Sequence, residues 1–554
     1  MSISRRSILT KIPIALASAN CLKAVGVFEK VESIPHATHF GPFIAKVQNG
    51  VIKDIVPQKS DYNPTMMLKA MADRVYSDSR VKYPCVRKSF LENKKNHKEL
   101  RGREEFVRVS WDVALDLAAK KLKEIPKENI YNASYGGWGH AGSLHRCHHL
   151  TWRFFNTTLG GAIGTDGEYS NGAAARINPM IVGDMEIYSQ QTTHEEMIKN
   201  CKVYVMWGAD LFKCNRIDYF VPNHVNDSYY PKYKRAGIKF ISIDPIYTET
   251  AQAFSAEWIP IRPNVVYAMR KVVEPVYESK DDYEIFRQLA LRIGGNETEQ
   301  RFTESKSYME WIKGLYEKSD GPTLKSFDQF WRDGFVEFEI PENARKFVRH
   351  AKFRQDPINN KLDTESGKIQ IFSQKCADFK LADFKGHPTW FEPAEWLGSK
   401  MAETYPFHLI SPHPKYRVNS QLDNTWVRNV YKIQGREPVM INELDANKLG
   451  IRHGEIVEVF NARGRLLAGA FVTKNIRQGV LSIQKGAWYD PEDERVRNPR
   501  CNAGHVNTLT SLRPTSSMTQ AISANTALVN IRRLRRYELV KPYHSISTPS
   551  IIGA

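Results

Sequence analysis

Apolar positions along the chain follow two different periods, and the change between them divides the molecule. Near the amino end, "THFGPFIAKVQNGVIKDIVP" alternates apolar and polar residues on either side of Asn49–Gly50. That dipeptide suits the left-handed conformations of a tight hairpin turn, so a β-hairpin is predicted. "FVRVSWDVALDLAAKKLKEIP" then changes to the helical period. Ser110 is placed as the N-cap, Asp112 lies in the first turn, and Pro126 stops the helix. "NIYNASY" is predicted as a strand running into the glycine-rich "GGWGHAG", and Ser143 to Thr158 as a helix. "CKVYVMWGAD" and "GIKFISIDPIYTET" are apolar, β-branched runs that end in polar loops. Such runs separated by helical stretches indicate a parallel sheet with helices on both faces.

Beyond Tyr267 the pattern becomes charged and helical in "YAMRKVVEPVYESKDDYEIFRQLALRIG". "DQFWRDGFVEF" and "ARKFVRHAKFRQDPINNKLDTESGKIQIFS" follow as surface helix and hairpin, and "KGHPTWFEPAEWLG" as a proline-rich, aromatic joint. From Tyr405 short alternating strands return, punctuated by the turns "ARG" and "RQG", which is the pattern of a β-barrel. The fold class expected is therefore α/β and multi-domain, with a doubly wound parallel sheet and a C-terminal β-barrel.

Composition adds constraints. With 554 residues and 42% hydrophobic content the chain can bury several cores. The formal charge of +18 is spread along the sequence; "RRLRRY" is its densest run, and no DNA- or RNA-binding motif accompanies it, so no nucleic-acid partner is expected. The seven cysteines contain no CxxC pair, which argues against a disulfide framework and against a zinc or iron–sulfur cage. "HRCHH" places His145 and His149 on one helix face without a further ligand at useful spacing, and reads as a polar helix. At the amino terminus "SRRSILTK", followed by a short, weakly apolar stretch, reads as a twin-arginine export signal. That route carries proteins already folded, which suits a cofactor inserted before export.

Strand ends carry the candidate chemistry, because ligands of open α/β sheets bind beyond the carboxyl ends of the strands. Asp244 there can accept hydrogen bonds from a ribose, and "GADLFKCN" can offer backbone N–H groups to a phosphate. No GxGxxG or Walker A motif follows a strand. "GTDGEYSNG" is permissive enough to aim one side chain at a ligand. Its spacing alone leaves Asp166, Glu168, Tyr169 and Ser170 open, and local pattern favours Ser170 as the cap of the next helix over Ser170 as a ligand.

Taken together and in order, "SYGGWGHAGSLH", "GEYSNGAAA", "EIYSQQT", "SIDPIYTET", "SPHPKYRVNSQL" and "GAWYDP" resemble the dimethyl sulfoxide / trimethylamine N-oxide reductases of the molybdopterin oxidoreductase superfamily. The resemblance implies molybdenum held by bis(molybdopterin guanine dinucleotide) and reduction of an N-oxide or S-oxide by oxygen-atom transfer. It also implies a periplasmic enzyme of anaerobic respiration, a c-type cytochrome as electron donor, and the twin-arginine (Tat) export machinery with a cofactor-insertion chaperone as partners. Ser170 matches the family's molybdenum ligand and Trp138 the tryptophan whose N–H reaches the oxo group and the cofactor. Tyr135 matches a substrate-side tyrosine, although the family's S-Y-G-W reads S-Y-G-G-W here. Trp207, Gly208, Asp210, Asn215 and Asp244 match cofactor contacts in the α/β part. His413, Arg417, Ser420, Gln421, Asn507 and Gln520 match contacts in the barrel.

The organisation implied is a twin-arginine signal over 1–30 and a β-rich segment over 31–110. An α/β molybdopterin-dinucleotide-binding domain over 111–266 follows, then a mixed helical and connecting region over 267–400 and a β-barrel molybdopterin-dinucleotide-binding domain over 401–554. Family members are longer. The chain passes from "WIPIRPN" almost directly to "YAMRKVVEPVYE", so a block of the α/β domain is expected to be missing near Asn264 to Tyr267. The alternative to an active reductase is thus an internally deleted, non-catalytic remnant.

Overall fold

The computed structural model describes residues 31–553 apart from 94–96, 102–103, 134–145, 165–171, 186–190, 208, 218–222, 245, 256–264, 268–273, 275–276, 339–341, 343–345, 494–495 and 535–549. The expected hairpin forms between Gly41–Gln48 and Val51–Pro57, and Glu32–Thr38 adds a third antiparallel strand. Asn49 and Gly50 carry φ of 53° and 72°, the left-handed pair that a two-residue hairpin turn demands. Every second residue of the middle strand (Phe43, Ala45, Val47) is buried, and these pack with Phe40, Met67 and Leu68 against Val418, Leu422 and Val427 of the C-terminal region. Chain segments far apart in sequence thus share one core.

Ser110 caps the helix Trp111–Glu124 by accepting from the Val113 N–H. Its apolar stripe, Leu115 and Ala119, meets Leu150 and Phe154 of the helix Cys147–Thr158 and Leu289, Ala290 and Phe302 of Asp282–Thr303. The last of these turns non-helical at Gly294 and Gly295, where ψ of −166° at Gly295 lies outside anything a helix accepts. Of "NIYNASY", whose last two residues lie outside the described ones, Tyr131 forms a parallel bridge with Ile163 and Asn132 N donates to Ile163 O.

Val203–Trp207 and Lys239–Ile243 pair in parallel, from Val203 opposite Lys239 to Trp207 opposite Ile243. One face of the pair is dry: Tyr204, Met206 and Phe240 pack with Tyr230, Tyr233 and Phe254. The other face is apolar as well, yet Val203, Val205, Ile241 and Ile243 stand 50%, 49%, 41% and 39% exposed. A parallel sheet normally has both faces covered.

The barrel is closed. Its strands neighbour one another in the order Phe407–Ile410, Val480–Ile483, Pro438–Asn442, Arg465–Thr473, Ile456–Phe460 and Ala527–Arg533, and the last returns to the first. Two of the junctions are parallel, Phe407–Ile410 with Val480–Ile483 and Pro438–Asn442 with Arg465–Thr473. Closure removes every free strand edge. Leu409, Val439, Ile441, Val457, Val459, Leu481 and Ile483 fill the interior at 0% exposure.

Two local expectations change. "YAMRKVVEPVYE" is not helical at its start: Val265–Tyr267 is a strand antiparallel to Phe335–Glu337, with Val266 in register opposite Val336. "GKIQIFS" alternates like a strand but finds no partner strand, and Ile369, Ile371 and Phe372 remain exposed. The basic stretch "YSDSRVKYPCVRKSFLENKK" contains the strand Cys85–Arg87 paired with Phe106–Arg108 and the helix Lys88–Asn93. Among the described residues no helix is long and apolar enough to cross a membrane.

Candidate functional site at the junction of the parallel pair and the barrel

Both parallel strands end against the barrel. After Val203–Trp207 the chain turns into the short helix Leu211–Cys214, with Asp210 at its N-cap. Asp210 Oδ1 accepts from Thr250 Oγ1 at 2.8 Å, and Oδ2 pairs with Lys213 Nζ at 3.2 Å. Thr250 Oγ1 in turn accepts from the Leu211 and Phe212 N–H groups at 3.0 Å each, so one hydroxyl ties the two strand-end loops together. After Lys239–Ile243, Asp244 Oδ1 accepts from the Ile246 N–H at 2.8 Å in a local turn. Among the described residues its second oxygen meets no donor. Burial pushes the Asp244 carboxyl up from its ordinary value, with the Asp210 charge adding and Lys213 opposing.

The barrel is fastened to this edge at three places. Ile246 bridges Ile476, Tyr247 N donates to Asn475 O at 3.2 Å, and Lys415 Nζ meets both Glu249 oxygens at 2.6 and 2.7 Å. That brings His413 and Lys485 to the strand ends. His413 Nε2 is buried without a hydrogen-bond partner among the described residues. Burial first, and then the charges of Lys485, Arg417 and Lys213, lower its pKa to about 4. Burial likewise depresses the Lys485 ammonium, with Cys214 opposing. The Cys214 thiol is pushed up by burial and by Asp210.

An orphaned ring nitrogen among two lysines has one obvious complement, an anionic group that accepts hydrogen bonds. Asp244 has the opposite character and suits a hydroxyl donor such as a ribose. A phosphate-bearing nucleotide has both, so the residues present fit the dinucleotide end of a pterin cofactor.

The sequence-predicted positions divide. Asp210, Asp244 and His413 gather around Lys213, which pairs with Asp210 and whose charge reaches the other two. Asn215 is turned inward, where Nδ2 donates to the Tyr230 hydroxyl. Arg417 is 1% exposed and spends its donors on protein. Nε bonds Asn419 O at 3.1 Å, Nη1 bonds Tyr431 Oη, and Nη2 bonds Glu437 Oε1 and Lys485 O at 3.0 and 2.8 Å. It therefore holds the loop that carries Lys485 instead of lying open to a ligand. Ser420 is exposed on a loop whose carbonyl accepts from Trp488 Nε1 at 2.7 Å. Gln421 Oε1 accepts from His39 Nε2 at 3.0 Å and Arg74 Nη1 at 3.4 Å, joining the N-terminal sheet to the barrel. Asn507 is exposed on the turn Val506–Thr508, away from these contacts. Tyr135, Trp138, Ser170 and Gly208 lie outside the described residues, as do the side chains of Trp207 and Gln520. So does His145; His149 is exposed, and no group of His, Cys, Asp and Glu among the described residues is arranged to hold a metal ion.

Lys213, Thr250 and Lys485 were not singled out by the sequence reading. The signal available for the two lysines was position, since each follows a strand by a few residues at the carboxyl end where anions bind.

Gly486 fixes the geometry beside Lys485. Its φ is 101°, and a Cβ there would stand 1.8 Å from Asn419 O. Gly486→Ala is expected to push the 419–421 loop away from Lys485. The cost is about 1–3 kcal/mol from strain alone, read as a lowered urea midpoint, whereas Gly454→Ala, with open space around it, serves as the milder comparison.

The chain matches the family models for the molybdopterin oxidoreductase N-terminal domain over 36–76, molybdopterin oxidoreductase over 80–269, and the molydopterin dinucleotide binding domain over 407–528. The trimethylamine-N-oxide reductase of Haemophilus influenzae is 28% identical to it, over 96% of this chain and 97% of that protein. The dimethyl sulfoxide/trimethylamine N-oxide reductase of Rhodobacter capsulatus is 27% identical, over 90% and 92%. Trimethylamine-N-oxide reductase 1 of Escherichia coli is 26% identical, over 91% and 90%.

Proposed function

We propose that this chain, which belongs to the molybdopterin oxidoreductase superfamily and is a molybdopterin-dependent oxidoreductase using molybdenum with a molybdopterin dinucleotide, reduces trimethylamine N-oxide or dimethyl sulfoxide by oxygen-atom transfer in the periplasm. The observation that carries the reading is the cluster at the strand ends. Where the α/β part joins the barrel, the charge of Lys213 reaches both Asp244 and His413, Lys485 adds its charge at His413, and His413 Nε2 has no hydrogen-bond partner among the described residues. Names of the relatives support the substrate class, since each is called a reductase of trimethylamine N-oxide, one of them also of dimethyl sulfoxide.

In this reading the two lysines and His413 hold a cofactor phosphate, and Asp244 accepts from a ribose hydroxyl. The Ser170 hydroxyl, once deprotonated, is a hard oxygen donor suited to a high-valent metal, and the Trp138 N–H is a donor only, as an acceptor oxygen requires. Tyr135 stands on the substrate side. Bound there, the bis(molybdopterin guanine dinucleotide)–molybdenum group supplies the two-electron chemistry of deoxygenation. A c-type cytochrome returns the electrons, and the twin arginines at Arg5 and Arg6 direct the loaded protein to the Tat machinery after a chaperone has seated the cofactor. Ser170→Ala is expected to lower the rate with trimethylamine N-oxide, measured with a reduced viologen dye, by at least about a hundredfold, the scale of losing one transition-state donor. Unchanged turnover with unchanged molybdenum would refute the serine as ligand.

A second reading is favoured by one observation. The alignment to the Haemophilus influenzae protein runs over 807 positions against 554 residues here, so it opens gaps in this chain. The uncovered face of Val203, Val205, Ile241 and Ile243 is where a helical layer would be lost. In that reading the chain is an internally deleted remnant that keeps the site residues without turnover. Folded protein that takes up the cofactor yet leaves both oxides unreduced would favour it.

A further inference from the structure

A second cavity, sharing no residue with the cluster above, opens between the strand Cys85–Arg87 and the start of the helix Trp111–Glu124. It measures about 450 Å³, within the range of small-ligand pockets. Its walls combine flat aromatic surface with positive charge. Tyr83, Phe106 and Trp111 line it, together with Arg80, Lys82 and Lys280. The acid among its lining residues, Glu278, is already taken: Oε1 pairs with Arg108 Nη2, and its carbonyl accepts from Trp111 Nε1.

Lys82 Nζ rests 4.9 Å from the Tyr277 ring centroid and Lys280 Nζ 5.9 Å from that of Trp111, and neither has an ion pair among the described residues. Arg80 Nε is buried with no hydrogen-bond partner among the described residues. A buried guanidinium N–H left unpaired costs about 1–3 kcal/mol, more when charged. The Arg80 charge is also felt next door: burial first, and then Arg80, hold the Arg74 guanidinium below its ordinary value. An occupant that neutralises Arg80 therefore relieves two residues. It must present anionic oxygens to Arg80 and the lysines, and a planar ring to Trp111 and Tyr83.

We propose that this cavity binds a nucleoside monophosphate, its phosphate on Arg80, Lys82 and Lys280 and its base on the aromatic wall. Benzoate-sized anions would leave much of the volume unfilled, whereas a base, a sugar and a phosphate together fill a pocket of this size. Nothing in the proposal depends on the oxide-reductase reading.

Adenosine monophosphate titrated calorimetrically into the purified full-length protein is the test, with adenosine and inorganic phosphate as separate probes. The nucleotide is expected to saturate below about 1 mM, and each fragment to bind at least tenfold more weakly. Lys82→Ala, on a partly exposed side chain whose loss threatens no core, is expected to weaken the nucleotide several-fold. Trp111→Ala is expected to weaken it tenfold or more, with thermal unfolding confirming that each variant is folded. No saturation by the nucleotide overturns the proposal. So does phosphate or adenosine alone binding as tightly, or binding that both variants leave unchanged, which would place the ligand elsewhere.

Discussion

Arg417→Ala is expected to destabilise the barrel by about 3–5 kcal/mol, the cost of breaking a buried ion pair by removing one partner. The guanidinium is buried between Glu437, Tyr431 and the Lys485 carbonyl. Glu437 is itself 0% exposed, so it cannot turn to water when its partner is gone. Asp423 and Lys432 complete the group, 2.7 Å apart and equally buried. Burial opposes the charge on Asp423, but Lys432 and Arg417 overcome it and hold the carboxyl below the usual range. Without Arg417 that balance tips, so the loss reaches past one pair. Urea unfolding measures it. Arg417→Met with Glu437→Leu, which removes both charges together, is expected to recover most of the lost stability. The single variant also releases the Lys485 and Asn419 carbonyls, so molybdenum retention should fall with it; a stable variant with unchanged midpoint would show that the pair holds nothing in place.

The second large effect is with pH. His39, His194 and His413 are each shifted from 6.5 to about 4, chiefly by burial. His194 is locked neutral between Tyr233 and Asn226 Oδ1, the latter at 3.1 Å. Between about pH 6.5 and 4 the unfolded chain binds a proton at each of these sites and the folded chain does not. Their contribution is therefore full above the unfolded value and is lost as pH falls through that window. A shift of this size corresponds to about 3 kcal/mol per histidine at 1.36 kcal/mol per unit. Unfolding free energy measured from about pH 7 to about pH 4 should fall steeply, and His194→Gln should flatten the slope. An anion seated against His413 favours its protonated form, so protein carrying that anion should lose less on acidification.

How much of this was legible in the sequence varies by element and for physical reasons. The Asn49–Gly50 hairpin, the Ser110-capped helix and the barrel rest on local signals: a left-handed turn pair, a capping hydroxyl and alternation between turns. "GKIQIFS" misled because alternation states a preference, and a strand exists only where another strand is placed to pair with it. Asp244 was singled out by its place after a strand, and Asp210 and His413 by the family motifs that contain them. Arg417 was found by motif too, yet motif cannot say whether an arginine faces a ligand or a buried glutamate; only the packing of Glu437 and Tyr431 does. Lys213 and Lys485 become partners of one site through the Lys415–Glu249 and Ile246–Ile476 contacts, which no local pattern announces.

The central claim is that the strand-end cluster holds a molybdopterin dinucleotide and, through it, molybdenum. Its most direct test is metal and nucleotide analysis of the folded protein purified from a host that makes the cofactor, beside a Lys213→Ala/Lys485→Ala double variant. The account predicts molybdenum together with guanine dinucleotide in the parent protein and a several-fold lower content of both in the variant. Folded parent protein free of metal and pterin, or equal loading of the two, would contradict it.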